Sequence, residues 1–315
     1  MSAEQIRLRD DPRWYTPDAL PAEFRAFDTP IAGLCAGSIT KLGLLDLTFA
    51  PSAGATRIVR QSLHGPLYIL RPIYTDPKRP DMAFIYALQM GDGLVQGDRY
   101  RIDLDCAPGS AVHVTTQAAT KLYRMDHNFA TQMVNLRAGD GAYVEYLPDP
   151  VIPFRNARFY QRIRLMVAPT ASVILGDILL PGRVAYGEAH AYTLYYADTE
   201  VTGLDGTPFV VDRIKLAPTA ASPRSIGRLG PYDVLATLYI VTRQLPARQL
   251  SDGLHRRLAS QTSVLVGVSE LPNECGVAVR MLGSRSSDVR AAFSLAWNET
   301  RLRLIGAPAP DLRKN

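Results

Sequence analysis

The sequence predicts a β-dominated protein: a many-stranded body that becomes mixed α and β toward its C-terminal end and carries two helices there. Three observations support this. Twelve strand-like segments succeed one another between residues 38 and 216 with no helical pattern among them. Gly, Pro, Asp and Asn clusters separate them. Helical periodicity occurs in only two stretches, both beyond residue 246.

In order, residues 1–36 carry Pro12, Pro17, Pro21 and Pro30 among charges without sustained periodicity, which predicts a loosely held N-terminal arm. From residue 37 the segments SITKLGLLDLTF, TRIVRQSL, PLYILRPIY, AFIYALQM, YRIDLDC, SAVHVTT, ATQMVNLRAG, AYVEYL, RFYQRIRLMV, SVILGDILL, HAYTLYYAD and PFVVDRIKL read as strands. The first helix is placed at 247–261, where Leu250, Leu254 and Leu258 fall four apart. The second is placed at 286–305, with Ser286 or Ser287 as N-cap and an apolar stripe of Val289, Phe293, Ala296, Trp297 and Leu304. Gly306 and Pro308 should stop it. Two further strand-like runs, SVLVGVSEL and CGVAVRML, lie between the helices. One domain over 37–306 and a flexible tail over 307–315 complete the expected organisation.

Composition narrows the function. The net charge is +5, but only five of the 35 basic residues are lysines, and the arginines are scattered with acids close by. A phosphate-neutralising patch is therefore not expected, and neither is nucleic-acid binding. No run of eighteen uncharged apolar residues occurs and the N-terminus lacks a secretory pattern, which predicts a cytoplasmic protein without a membrane partner. Cys35, Cys106 and Cys275 are far apart and read as reduced, packed thiols. The five histidines show no metal-ligand spacing. Gly91, Gly93 and Gly97 have the wrong spacing for a dinucleotide fingerprint, AATKLYR lacks the glycines of a P-loop, and no Gly-x-Ser-x-Gly elbow is present.

Strand parity sorts the acids. In RYRIDLDC, Tyr100, Ile102, Leu104 and Cys106 share an apolar face, so Asp103 and Asp105 should be solvated beside arginines. In PFVVDRIKL, Asp212 shares a face with Val210, Ile214 and Leu216, and in SVILGDILL both faces around Asp177 are apolar. A buried carboxylate must be paired, for instance with Arg183 or Arg213, or protonated, or line a polar channel or cation site. Glu145 and Glu188 are weaker candidates of the same kind. Asp98, after Gly97, reads as a turn acid bonding nearby amides.

Val95–Tyr100, Thr115–Arg124, Glu145–Ala157 and Asp177–Glu188, preceded by GPLYILRPIY at 65–74, resemble the UreD family of urease accessory proteins, called UreH in some organisms. The resemblance covers roughly 38–305. It implies a superhelical β-sheet body with two helices and a non-enzymatic role with UreF and the GTPase UreG on apo-urease, including a dimer within the complex. It also implies nickel in transit through an acidic internal tunnel, with no tightly bound cofactor. Asp98, Asp177, Asp212 and Glu188 match acids of the family pattern and become the candidates for nickel passage. A conduit of carboxylates, carbonyls and water suits transit, because a Cys- or His-rich cage would hold the ion. Where the family commonly has His-Pro-Pro-Gly-Gly, this chain has Gln89, Met90, Gly91, Asp92 and Gly93, which removes a ligand-capable histidine and two stiffening prolines. Phe293, Trp297, Arg290 and Arg301 on the second helix are candidates for a partner contact, the alternative being that Phe293 and Trp297 pack the core, and the surfaces such partners need predict poor solubility of the chain alone. The competing expectation is a carbohydrate-active β-rich hydrolase using Asp103 with Asp149 or Glu145.

Overall fold

The computed structural model describes residues 11–29, 41–312 and 314. Seventeen strands follow in chain order among the described residues: β1 (Leu42–Ser52), β2 (Ala55–His64), β3 (Leu67–Ile69), β4 (Ala83–Gln89), β5 (Arg99–Cys106), β6 (Ala111–Thr116), β7 (Thr120–Leu122), β8 (Ala130–Ala138), β9 (Tyr143–Tyr146), β10 (Val151–Pro153), β11 (Arg158–Val167), β12 (Ser172–Leu179), β13 (Leu194–Thr202), β14 (Pro208–Leu216), β15 (Val234–Val241), β16 (Val264–Glu270) and β17 (Gly276–Gly283). They form two sheets. The first runs β14-β13-β11-β8-β5-β1-β2, and the second runs β16-β17-β15-β12-β9-β6-β4-β3 with β10 attached to β12 and β7 attached to β10.

The chain alternates between the sheets, passing from β5 to β6, from β8 to β9 and from β11 to β12, and like strands stack in parallel register. The result is a solenoid of stacked coils, so the β-dominated fold expected from the sequence is the one observed. Antiparallel strands finish the coil at β2 and β14 on one sheet and at β3, β15, β17 and β16 on the other.

Parity explains the layering. The inner faces meet in one core that includes Leu45, Leu47 and Phe49 of β1, Tyr100, Ile102, Leu104 and Cys106 of β5, and Val173, Leu175 and Leu179 of β12. Asp103 stays on the outer face, bonded to Arg101 at 2.7 Å and to Asn135 at 2.7 Å, as its alternation requires. The outer face of the second sheet is covered by the two helices, Ala247–Leu258 and Ser286–Ile305. Leu250, Leu254 and Leu258 of the first, with Val289, Phe293, Ala296 and Trp297 of the second, close a second core over Ile174, Ala236, Leu238 and Ile240. At Gly176 the approach is closest: a Cβ there would lie 2.5 Å from the Phe293 ring.

Several details differ from the sequence reading. The first helix ends at Leu258, and Gln261 closes a turn back onto the Leu258 carbonyl. The second begins after Arg285, which makes no side-chain cap, so the two serines lie in its first turn; Gly306, at φ 65°, ends it as expected. Within the N-terminal arm, residues 11–29 are docked against the first sheet, with Tyr15 and Phe24 fully buried and Phe24 packed on Phe129 and Tyr160. Residues 1–10 and 30–36 of that arm, Cys35 included, lie outside the described residues. The tail also packs: Ala307 is buried, the Ala309 N–H donates to Asn298, and the Tyr86 hydroxyl donates to the Leu312 carbonyl at 2.9 Å.

Candidate functional site

Between the sheets lies a cavity of about 160 Å³. At one end it is bordered by Gln89, Gly91 and Asp92 and by Gln117–Lys121, which puts the departing Gln89–Gly93 loop at its mouth. At the other end it reaches Tyr146, Gln161 and Asp177. Register builds the first sheet's side of the lining. Tyr100, Gln132 and Gln161 are Cα partners across β5, β8 and β11, so three polar side chains form one row on an otherwise apolar inner face.

Asp177 stands opposite that row on the inner face of β12. Protein surrounds its carboxylate, and the surface it retains borders the cavity. Tyr195 donates to it at 3.1 Å. Burial pushes its carboxyl above the ordinary range, and the bonds from Tyr195 and Gln161 only partly offset this. Nearby, the buried Tyr146 hydroxyl and the Thr237 hydroxyl, on the residue directly across from Asp177 in β15, have no hydrogen-bond partner among the described residues. Burial and the Asp177 charge both push the Tyr146 phenol up. Tyr146 and Asp177 both border the cavity, and Thr237 neighbours Asp177 in the sheet.

Asp212 lies further along. It is on the inner face of β14, as parity predicts, and accepts hydrogen bonds from Tyr239 and Arg280 of the second sheet. Its ion pair is thus with Arg280, while Arg213, one of the partners considered from sequence, pairs with Asp198. Burial raises the Tyr239 phenol, followed by the Asp212 charge and, more weakly, that of Asp177. Gln161, Asp177, Tyr195, Tyr239, Asp212 and Arg280 thereby make a polar line through the interior from the cavity toward Arg280, whose side chain is half exposed.

The remaining predicted site residues fall elsewhere. Asp98 is fully buried, and its carboxylate accepts the N–H groups of Lys41 at 2.8 Å and Val95 at 3.0 Å, which is the turn-acid arrangement. Burial raises its carboxyl to about 6 against those bonds. Glu188 is paired with Arg183 through two 2.8 Å bonds, which hold its carboxyl below the usual range. Neither Asp98 nor Glu188 borders the cavity. On the C-terminal helix, Arg290 is exposed, but Phe293 and Trp297 are buried in the second core and Arg301 is fully buried. These last three are placed as packing residues rather than surface residues, because that helix covers a sheet face whose apolar side chains need them.

Arg301 belongs to a second buried network. Its guanidinium donates to Asp76, to Glu145 at 2.7 Å and to the Pro308 carbonyl at 3.0 Å. Glu145 also accepts from Tyr143 at 2.7 Å and is bonded to His113 at 2.7 Å. Burial alone would raise the Glu145 carboxyl, but His113, Arg301 and Tyr143 together hold it below the usual range. This arrangement bears on the hydrolase expectation. Asp103 is on the outer face of the first sheet and Glu145 is enclosed on the outer face of the second, so the two carboxylates flank no common cleft. Asp149 is paired with Lys314.

Gln132, Gln161, Tyr146, Tyr195 and Tyr239 were not singled out from sequence. Parity contained part of the signal: Gln161 alternates with Phe159, Ile163 and Leu165, and Gln132 with Ala130, Val134 and Leu136. The tyrosines gave none, since a phenol is equally at home packed or wetted.

All the oxygen donors around Asp177 are carboxylate, phenol, amide or hydroxyl, and among the described residues no group of three or more His, Cys, Asp or Glu is placed to hold a metal ion. Fold and site together define a two-sheet β-solenoid with an oxygen-lined interior. The UreD urease accessory protein family model matches residues 41–315. A UreD 2 urease accessory protein of Streptomyces griseus is 45% identical over 286 residues, covering 89% of this chain and 96% of its own length. UreD proteins of Haloarcula marismortui and Cenarchaeum symbiosum are 34% and 32% identical, each over 88% of this chain and over 92% and 98% of their own lengths. The chain belongs to the UreD family of urease accessory proteins.

Proposed function

We propose that this protein is a non-catalytic maturation scaffold for urease, acting in the cytoplasm with UreF and the GTPase UreG, and that Ni2+ crosses its interior as cargo on the way to apo-urease. The observation that carries the reading is Asp177, a part-buried carboxylate between the sheets, raised by desolvation and bordering a polar cavity. Such an acid favours its neutral form when alone and gains by exchanging its proton for a passing cation. Oxygen donors hold nickel less firmly than imidazole or thiolate, so the ion is able to leave. Asp212 extends the route toward Arg280, which keeps the far end neutral until the cation arrives. Asp98 and Glu188, away from the cavity, are assigned to holding local backbone and Arg183 in place. Arg290, exposed on the C-terminal helix, is assigned to partner contact.

The test is reconstituted urease activation with Asp177→Asn and Asp212→Asn combined. Nickel incorporation should fall about tenfold, of the order of one lost charge interaction, with UreF capture intact. Normal incorporation together with intact UreF capture would refute the route.

A further inference from the structure

The internal cavity shares a wall with an outer groove of about 570 Å³ that lies between the C-terminal helix, the tail and residues 147–150. Pro148 and Asp149 border both spaces. The flanking prolines Pro148 and Pro150 fix the backbone around Asp149. Thr115 and Thr116 of β6, being adjacent in a strand, point to opposite sides: Thr115 borders the groove and Thr116 the cavity. The Asp149 N–H donates to the Thr116 hydroxyl at 2.8 Å, and Asp149 Oδ2 lies 3.3 Å from the same oxygen. On the groove side the ammonium of Lys314 donates to Asp149 Oδ2 at 2.8 Å and to Thr115 Oγ1 at 2.5 Å. Thr115 in turn donates to the Leu147 carbonyl at 2.6 Å. The Lys314 and Asp149 side chains are only 16% and 14% exposed, so this pair is largely withdrawn from water.

We propose that Asp149, the Thr115 hydroxyl and the Leu147 carbonyl form a divalent-cation site in the wall between groove and cavity, and that the Lys314 ammonium occupies it as a tethered competitor. A cation already sits on two of these oxygens, Asp149 Oδ2 and Thr115 Oγ1, and it belongs to the chain itself. One carboxylate with neutral oxygens is a donor set for a hard or borderline ion that keeps part of its water. Burial lowers the Lys314 ammonium from its usual range, against the opposing pull of Asp149, so holding the charge there carries a cost that release removes. A tethered ammonium weakens a competing ion by one plus the ratio of its effective concentration to its own dissociation constant, whatever the affinity of that ion.

The test is Ni2+ titrated into the full chain by calorimetry, comparing wild type with Lys314→Met, Lys314→Gln, Asp149→Asn and Lys314→Met/Asp149→Asn. Lys314→Met should tighten one site about tenfold, a magnitude set by the effective concentration of the tether. Lys314→Gln, which keeps a hydrogen bond to the wall without its charge, should show the same gain, and Asp149→Asn should remove the gain. Unchanged binding in both Lys314 variants, or a gain that survives Asp149→Asn, would overturn the inference. It rests on the reading that cations traverse the interior, but the measurement needs no urease. A gain at Lys314 with normal activation by the Asp177/Asp212 variant overturns only the route, and the reverse result overturns only this site.

Discussion

Arg301 is the only cation within hydrogen-bonding distance of Glu145 and Asp76 among the described residues apart from His113, which is charged only when protonated. Arg301→Met preserves most of the apolar stem and removes the guanidinium. Glu145 keeps Tyr143 and His113, and Asp76 keeps the Lys78 N–H at 2.9 Å, so neither acid is stripped of every bond. Both are nevertheless left in low dielectric without their arginine: Glu145 is 0% and Asp76 3% exposed. Breaking a buried pair from one side costs about 3–5 kcal/mol, and that is the expected loss. Urea unfolding followed by circular dichroism measures it, with Glu145→Gln and the double variant closing the cycle. The double variant should lose less than the sum of the single losses, because one uncompensated acid is gone. A loss under about 1 kcal/mol for Arg301→Met, or strict additivity, would refute the account of this network. The pH dependence follows from the sign of the Glu145 shift. Its folded carboxyl is held low, so the stability it contributes is complete above its unfolded value and is lost as pH falls through the folded one. Glu145→Gln should therefore flatten the acid limb below about pH 4.

Asp98 should act in the opposite sense and in a different window. Its carboxyl is raised to about 6, so the folded state gains as pH falls toward the unfolded value near 3.8. The stability of wild type relative to Asp98→Asn should rise by about 2 kcal/mol between pH 7 and 4.5, as read from urea midpoints, and a flat difference would refute it. Gly176→Ala places a methyl 2.5 Å from the Phe293 ring and 2.9 Å from Leu147. It should cost about 1–3 kcal/mol, part of it recovered by adding Phe293→Leu, and thermal unfolding of the pair tests that coupling.

Most of the strands were legible in succession because each coil supplies its own short alternating run bounded by turn residues, whereas the short β7 and β10 and the continuously apolar, fully buried β15 were not read as strands and their order in the sheets was not given. Asp103 and Asp212 were placed on the correct faces by parity alone. What parity cannot give is the opposite sheet. The partner of Asp212 is Arg280, 68 residues away and on the other wall, and no local rule selects it over Arg213, the next residue. Arg301 was misplaced for a related reason, whereas Phe293 and Trp297 pack the core, which the apolar stripe allowed, and Arg290 is exposed. An arginine on an apolar helix stripe reads as a surface group until the acids beneath it, Asp76 and Glu145, are known to be there. The row of Tyr100, Gln132 and Gln161 lies between these cases, since each residue's face was readable but their alignment depends on the register of three coils.

The network under the C-terminal helix has a consequence for biogenesis. Asp76 precedes Arg301 by 225 residues and Glu145 precedes it by 156. At ribosomal rates of about 5–20 residues per second, Asp76 waits roughly 10–45 s for its counterion. Asp76 throughout that interval, and Glu145 from its own synthesis onward, stay unmatched beside bare apolar side chains of the second sheet. The nascent solenoid is then most open to aggregation, and a folding helper that shields that face would have its greatest effect before residues 286–305 emerge.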